Sequence, residues 1–279
     1  MKLSFNVFPV GGTDGAWGPA STLKSLGYCL RVYSADGLRP FGPLSRMCIS
    51  NFNGRAPFYI NQDPGASSLR LIDPRARRYI RQDGLVWEKA CSPQRVEEVD
   101  VRTLDSLVAD GLVLPLDFIS MNAQGSELDI LQGAEQVLKA GVVGVVSEVE
   151  FRPLYEGQGC FRDIHTFLRQ RGFSLEGLTD EEWWFTKGKV SGAPYPLKTL
   201  SRLVAIATYL RTADAFLETC SRENLARALM AAACLGSLSA THHIWGKVRR
   251  DAGWASWVAQ ADCPYLEEAC RHLEGEDAA

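Results

Sequence analysis

With 279 residues, 46% of them hydrophobic and 23% charged, the chain has material for one generous α/β domain, or a domain with a small appendage, around a buried core. A formal net charge of −3 gives no global attraction to nucleic acid or an anionic membrane, so neither is expected as a partner. No apolar run approaches the roughly 18 residues of a spanning helix, and Met1 to Val10 lacks the pattern of a secretory leader, so a cytoplasmic location is expected.

In chain order, Phe5 to Val10, Leu30 to Tyr33 and Arg46 to Ser50 read as buried strands. Asn51 to Ile72 carries Asn53-Gly54, then Phe58-Tyr-Ile60, then Pro64-Gly65, and reads as a hairpin inserted between crossovers. Leu116 to Met121 and Gly144 to Val149 are two further strands. Leu128, Leu131, Ala134 and Leu138 share one face of a helix predicted over Glu127 to Leu138. Phe161, Ile164 and Leu168 mark another, which Gly172 ends. Trp183-Trp-Phe185 reads as the last strand, and Lys187 to Pro196 as a linker. Leu200, Leu203, Val204, Ala207 and Leu210 then predict an amphipathic helix, followed by an alanine-rich one from about Arg222 to Leu235. Alternating strands and helices imply a mostly parallel sheet covered on both faces. The expected division is one α/β domain over 1–190 and an α-helical extension over 191–279. That extension either packs on the domain or meets a protein partner or a second copy.

Few residues outside this frame suggest chemistry. The eight cysteines are scattered with no Cys-x-x-Cys pair, which points to buried thiols. Adjacent His242 and His243 cannot share a helix face, so no metal site is expected. Arg75, Arg77 and Arg78 read as a solvated cluster. His165 lies on or beside an apolar helix face, where packing is favoured over catalysis. The first strand, however, runs into Val10-Gly-Gly-Thr-Asp-Gly15, and glycines between a strand and a helix let backbone amides approach a ligand. A bare tight turn would look the same. The next strand ends in Tyr33-Ser-Ala-Asp36, where an acid can accept from ribose hydroxyls.

Three segments carry a more specific likeness. Val101-Arg-Thr-Leu-Asp-Ser-Leu107, then Leu116 to Ala134 with its core Met121-Asn-Ala-Gln-Gly-Ser-Glu127, then Ser147-Glu-Val-Glu-Phe151 with Tyr155, together resemble the FkbM family of methyltransferases. Ala56 to Leu69, with Ser67 and Ser68, resembles the same family's hairpin. The resemblance implies a class I methyltransferase sheet of seven strands, mostly parallel, with one antiparallel strand near its end. It implies methyl transfer from S-adenosylmethionine to a hydroxyl of a carbohydrate or other small-molecule acceptor. By that likeness Gly11, Gly12 and Gly15 would lie under the methionine part of the cofactor, Ser34 and Asp36 near its ribose, and Asn122 and Gln124 at the end of the fourth strand. Ser67, Ser68 and Tyr155 would line the acceptor side.

Glu127, Glu148 and Glu150 are the candidate bases, because a sugar hydroxyl is a poor nucleophile and benefits from proton removal. Glu127 reads equally as a helix N-terminal acid. Glu148 and Glu150 share one side of their strand, so one of them can be structural. Pro9, Ser34 and Asn122 stand where the family usually has acids, and each removes a negative charge from a site for a cationic sulfonium. Two readings therefore stay open: an O-methyltransferase, or a degenerate, non-catalytic domain that binds a ligand or partner. A nicotinamide-dependent oxidoreductase would need a fuller glycine fingerprint.

Overall fold

The computed structural model describes residues 4–11, 29–33, 35, 44, 46–81, 83–186, 201–212, 214–215, 222–235, 237–248, 253 and 266. Its strands are β1 (Ser4–Val10), β2 (Cys29–Val32), β3 (Met47–Ile49), β4 (Gly54–Asn61), β5 (Tyr79–Arg81), β6 (Pro93–Arg102), β7 (Phe118–Met121), β8 (Gly144–Glu150), β9 (Phe173–Thr186) and β10 (Ser201–Arg211). Its helices are α1 (Trp87–Ala90), α2 (Leu104–Ala109), α3 (Glu127–Gln132), α4 (Glu135–Ala140), α5 (Phe161–Arg169), α6 (Arg222–Cys234) and α7 (Leu238–Val248).

The main sheet has the order β2-β1-β7-β8-β10-β9-β5, and its core is parallel from β2 to β8. Beyond β8 every ladder is antiparallel, so β10 and β5 both run against the core strands. Core strands are apolar on both faces, as parallel strands between two helical layers must be. Phe5, Val7 and Phe118 face α6 and α7, while Phe8, Val10, Ile119 and Met121 face Leu104, Leu131, Val137 and Ile164 on the other side. The alanine-rich helix α6 thus covers a sheet face. At the amino edge of the sheet, Asp117 accepts from the Asn6 N–H (2.7 Å) and stands 3.5 Å from Arg227 of α6.

Four sequence expectations change. Of the helix expected over Leu200 to Leu210, residues 201–210 instead form most of β10, a strand inside the sheet, so Trp183-Trp-Phe185 lies in β9, one strand earlier. Residues 203–207 and 209–211 are all buried. An unbroken apolar run satisfies a helical pattern and a two-faced strand equally, and β-branched Val204, Ile206 and Thr208 favour the strand. The helix expected over Glu127 to Leu138 breaks at Gly133. A Cβ there would stand 2.1 Å from the Ser50 carbonyl oxygen, so only glycine lets these backbones approach. The expected hairpin pairs elsewhere too. β4 lies antiparallel to β6 in a second sheet, β3-β6-β4, and makes with the segment just after it a single β-bridge, at Tyr59 and Ser68. The charged alternation of β6 had hidden it as a strand. Finally, two strands rather than one oppose the parallel core.

Among the described residues no helix is long and apolar enough to cross a membrane.

Candidate active site

Strands β1, β7 and β8 end side by side, so the loops leaving them meet above the carboxyl edge, where open α/β sheets bind ligands. Gly11 leaves β1 at φ +74°, and a Cβ on it would stand 1.9 Å from the Asn122 carbonyl oxygen. The Asn122 N–H donates to the Val10 carbonyl (3.0 Å), and the Gly11 N–H to Ala35 (3.1 Å), which ties the end of β2 to the same corner. Pro9 pairs with Ser120 one residue earlier.

After Asn122 the backbone turns left-handed twice, at Gln124 (φ +51°) and Gly125 (φ +92°). A glutamine in that region is uncommon and costs about 1 kcal/mol or more, so its surroundings must enforce it. Glu127 reaches back from the start of α3, with Oε1 accepting from the Ala123 N–H (2.7 Å) and Oε2 from the Gly125 N–H (3.0 Å). Ser68 Oγ donates to the Gln124 carbonyl (2.7 Å). The Tyr155 ring lies flush against Gly125, where a Cβ would meet it at 2.9 Å.

This loop aims the Gln124 amide. Its Nε2 donates to Asn122 Oδ1 (2.7 Å) and to Glu148 Oε2 (3.1 Å), while its Oε1 accepts from the Tyr155 hydroxyl (2.9 Å). Asn122, Gln124, Glu127, Glu148, Tyr155 and Ser68 therefore form one connected group. Ser67 stands one step behind it, its hydroxyl accepting from the Asn61 N–H (3.1 Å). Ser67, Ser68 and Tyr155 are all buried. Gly12, Gly15, Ser34 and Asp36 lie outside the described residues, although Ala35, between the last two, touches Gly11.

The three carboxyl groups differ in surroundings. Glu127 is 0% exposed and Glu150 1%, whereas Glu148 is only half-buried. Burial pushes the Glu127 carboxyl up, opposed by the backbone N–H groups it accepts from and by the Arg70 charge. Glu150 is pushed well above the ordinary carboxyl range, first by burial and then by the charges of Glu127 and Glu148, with Gln158 offsetting part of the effect. Its Oε2 has no hydrogen-bond partner among the described residues. Acids this close cannot all ionise cheaply, so the group favours retaining a proton on Glu150. Tyr155 is likewise held neutral, by burial first.

Two supporting residues escape sequence reasoning. Arg70 donates from Nη2 to Asp129 of α3 (2.5 Å) and from Nη1 to the Glu156 carbonyl (2.7 Å), bracing the loop from outside. Gln158 Oε1 accepts from the N–H groups of Leu154 and Tyr155 (2.8 and 3.1 Å), fixing the turn that carries Tyr155. No spacing announces these contacts, because their partners lie far apart in sequence or in irregular turns.

His165 packs between Phe161 and Tyr209, with Nδ1 3.5 Å from the Tyr209 hydroxyl. Cys91 and Cys160 are free thiols, and burial pushes Cys91 up to about 12. Among the described residues no group of three or more His, Cys, Asp or Glu side chains could hold a metal ion.

The model of the methyltransferase FkbM domain matches residues 23–175, more than half the chain. The chain belongs to the FkbM methyltransferase family. The matched span runs from just before β2 into β9 and includes every residue of the connected group, while β1, Gly11, β10 and the C-terminal helices lie outside it. No curated protein and no solved structure matches the chain.

Membership also explains which signature residues build and which surround the site. Thr103 caps α2, its Oγ1 accepting from the Ser106 N–H (3.0 Å). Asp105 accepts from the N–H groups of Gln136 (3.0 Å) and Val137 (2.9 Å). It thereby caps α4, whose own N-cap, Ala134, has no side chain able to do so. Thr103-Leu-Asp105 and the segment from Leu131 to Val137 are thus one structural joint.

Proposed function

We infer that this FkbM-family chain is an S-adenosylmethionine-dependent O-methyltransferase acting on a hydroxyl of a carbohydrate or related metabolite. The observation that carries the reading is the convergence of Gly11, Asn122, Gln124 and Glu148 at the carboxyl ends of β1, β7 and β8. The strand order, with antiparallel β10 beside β8, supports a class I methyltransferase sheet, and α6 and α7 a helical extension packed on it.

The residues present suit the cofactor. An exposed glycine turn at Gly11 leaves room for a ligand to lie on backbone, and the neighbouring side chains offer acceptors for cationic groups. Gly11, with Gly12 and Gly15, would hold the methionine part, and Ser34 and Asp36 the ribose. Asn122 and Gln124 would form the wall between cofactor and acceptor. The cofactor supplies a methyl carbon activated by a sulfonium. Much of the acceleration then comes from holding the acceptor oxygen in line with that carbon.

Glu148 is the base in this reading. It is the least buried of the three acids, and it would take up the proton that the acceptor hydroxyl loses on methylation. Glu127, with both oxygens committed to the loop, and Glu150, its carboxyl pushed up by burial, act from behind it. Ser67, Ser68 and Tyr155 shape the acceptor wall.

Calorimetric titration of the full chain with S-adenosylmethionine and S-adenosylhomocysteine tests the reading. Micromolar binding of both is expected. Absence of binding at millimolar cofactor would sink it and leave the loss of acidic residues at Pro9, Ser34 and Asn122 as the mark of a ligand- or partner-binding module.

A further inference from the structure

We propose that Arg75, Arg77, Arg78 and Arg152 form a phosphate-binding surface beside the site, and that the methyl acceptor presents a phosphate group to it. The acceptor half of this proposal rests on Ser67, Ser68 and Tyr155 being the acceptor wall, but the surface itself does not.

The net charge of −3 conceals a basic stretch between Arg70 and Lys89. Most of its charges are already matched. Arg70 pairs with Asp129, Arg81 with Asp83 and Arg75 with Asp73, while Glu88 and Lys89 stand next to each other on α1. Asp73 is filled by its one partner, with Oδ1 accepting from the Arg75 backbone N–H (2.7 Å) and Nε (2.9 Å), and Oδ2 from Nη2 (2.6 Å). Arg77 and Arg78 are exposed and have no ion pair among the described residues, and the same holds for Arg152. Arg75 keeps Nη1 uncommitted, on a side chain that is 75% exposed.

The backbone gathers these arginines from two distant segments. Ile72 and Tyr155 form an antiparallel bridge, flanked by the Asp73 N–H donating to the Leu154 carbonyl (2.9 Å) and the Glu156 N–H to the Leu71 carbonyl (2.8 Å). In such a pairing the residues after Ile72 run beside those before Tyr155, so Arg75 and Arg152 leave it at the same end. Glu156 lies at the other end. Arg152 follows Glu150 by two residues, so the shared end is where β8 finishes. Arg77 and Arg78 come next on the single turn Ala76–Arg78. Its Ala76 is 0% exposed and packs in one cluster with Leu154 and Tyr155, which fixes the turn beside the site and leaves its two arginines outward.

Like charges held together without acids between them repel, and an anion that joins them removes that cost. A carboxylate fills one guanidinium fork. A phosphate carries more charge and presents oxygens in several directions, so it can meet forks arriving from two segments at once. A soluble sugar phosphate and a lipid-borne phosphate share this chemistry.

Binding to the full chain without cofactor tests the surface and separates the two sources. Glucose 1-phosphate is the soluble probe, with glucose as its neutral counterpart. Phosphatidylcholine vesicles with and without phosphatidic acid are the membrane probe. Calorimetric binding of glucose 1-phosphate but not glucose supports a soluble phosphorylated acceptor, and co-sedimentation with the phosphatidic acid vesicles alone supports a lipid-borne one. In the arm that binds, the double variant Arg77→Ser with Arg78→Ser should weaken binding about tenfold or more, and Arg152→Ser about tenfold, as loss of a charge-assisted contact does. Arg169→Ser, at the exposed last residue of α5, should leave it unchanged. No binding of either probe, equal binding of the neutral counterparts, or an equal loss in Arg169→Ser overturns the proposal. Should the double variant fail to fold, Arg152→Ser decides, and unchanged binding in it overturns the surface. A chain that binds S-adenosylmethionine but neither phosphate probe keeps the enzymatic reading and loses this one, whereas the opposite result does the reverse.

Discussion

Two regions of the molecule use the same device for different ends. At the joint between α2 and α4, Asp105 reaches across the chain to accept backbone N–H groups, and Gly133 lets two backbones touch. In the loop after β7, Glu127 reaches back to accept backbone N–H groups, and Gly125 admits the Tyr155 ring. Asp105 is partly exposed, whereas Glu127 is sealed from solvent and adds its charge to that felt by Glu150. The first arrangement caps a helix and joins two backbones. The second spends stability on crowded acids and a left-handed glutamine, a pattern that marks functional sites rather than joints.

Substitutions can break or sharpen that contrast. The largest effect is expected at Glu148→Gln, which should reduce methyl transfer by 100-fold or more, as loss of a general base does, while leaving the melting temperature nearly unchanged. A rate within a few-fold of the parent would remove Glu148 from the chemistry. Gly133→Ala should show the reverse pattern, destabilising by about 3 kcal/mol through forced backbone separation in denaturant unfolding, with cofactor affinity preserved in the folded fraction.

Glu150→Gln should alter the pH dependence of stability. A carboxyl raised in the folded state contributes stability that is fully present below its unfolded value near 4.5 and lost as pH rises through the folded value. The parent should therefore weaken as pH rises above 4.5, and Glu150→Gln should flatten that decline and gain of order 1 kcal/mol at pH 8. Melting curves at pH 5 and pH 8 compare the two directly, and parallel curves would contradict the buried proton. The smallest effect is expected at Asp105→Ala, which should cost about 1 kcal/mol as a lost helix cap in urea unfolding, with no change in cofactor titration.

Much of the site was legible because its signals are local. Gly11 at the end of a strand, Glu127 at a helix start, and Glu148 and Glu150 two apart on one strand each follow from spacing of a few residues. The supporting contacts were not legible. Arg70 with Asp129, Tyr155 with Ala66, and Asp105 with Val137 join residues 59, 89 and 32 positions apart, and no periodicity reports such pairs. The same limit explains the misread fold elements. Leu203 to Leu210 is apolar nearly throughout, a pattern that says buried but not whether by helix or strand.

By itself the sequence determined the parallel core, because strands covered on both faces leave continuous apolar runs, and it determined the family, because the signature residues lie in short contiguous motifs. Only the tertiary structure decided that residues 201–211 complete the sheet, that Gly133 divides a helix, and that Tyr155 faces Gln124 rather than solvent. Those outcomes depend on which distant backbone or side chain fills the neighbouring space, and that is a property of the packed chain rather than of any segment of it.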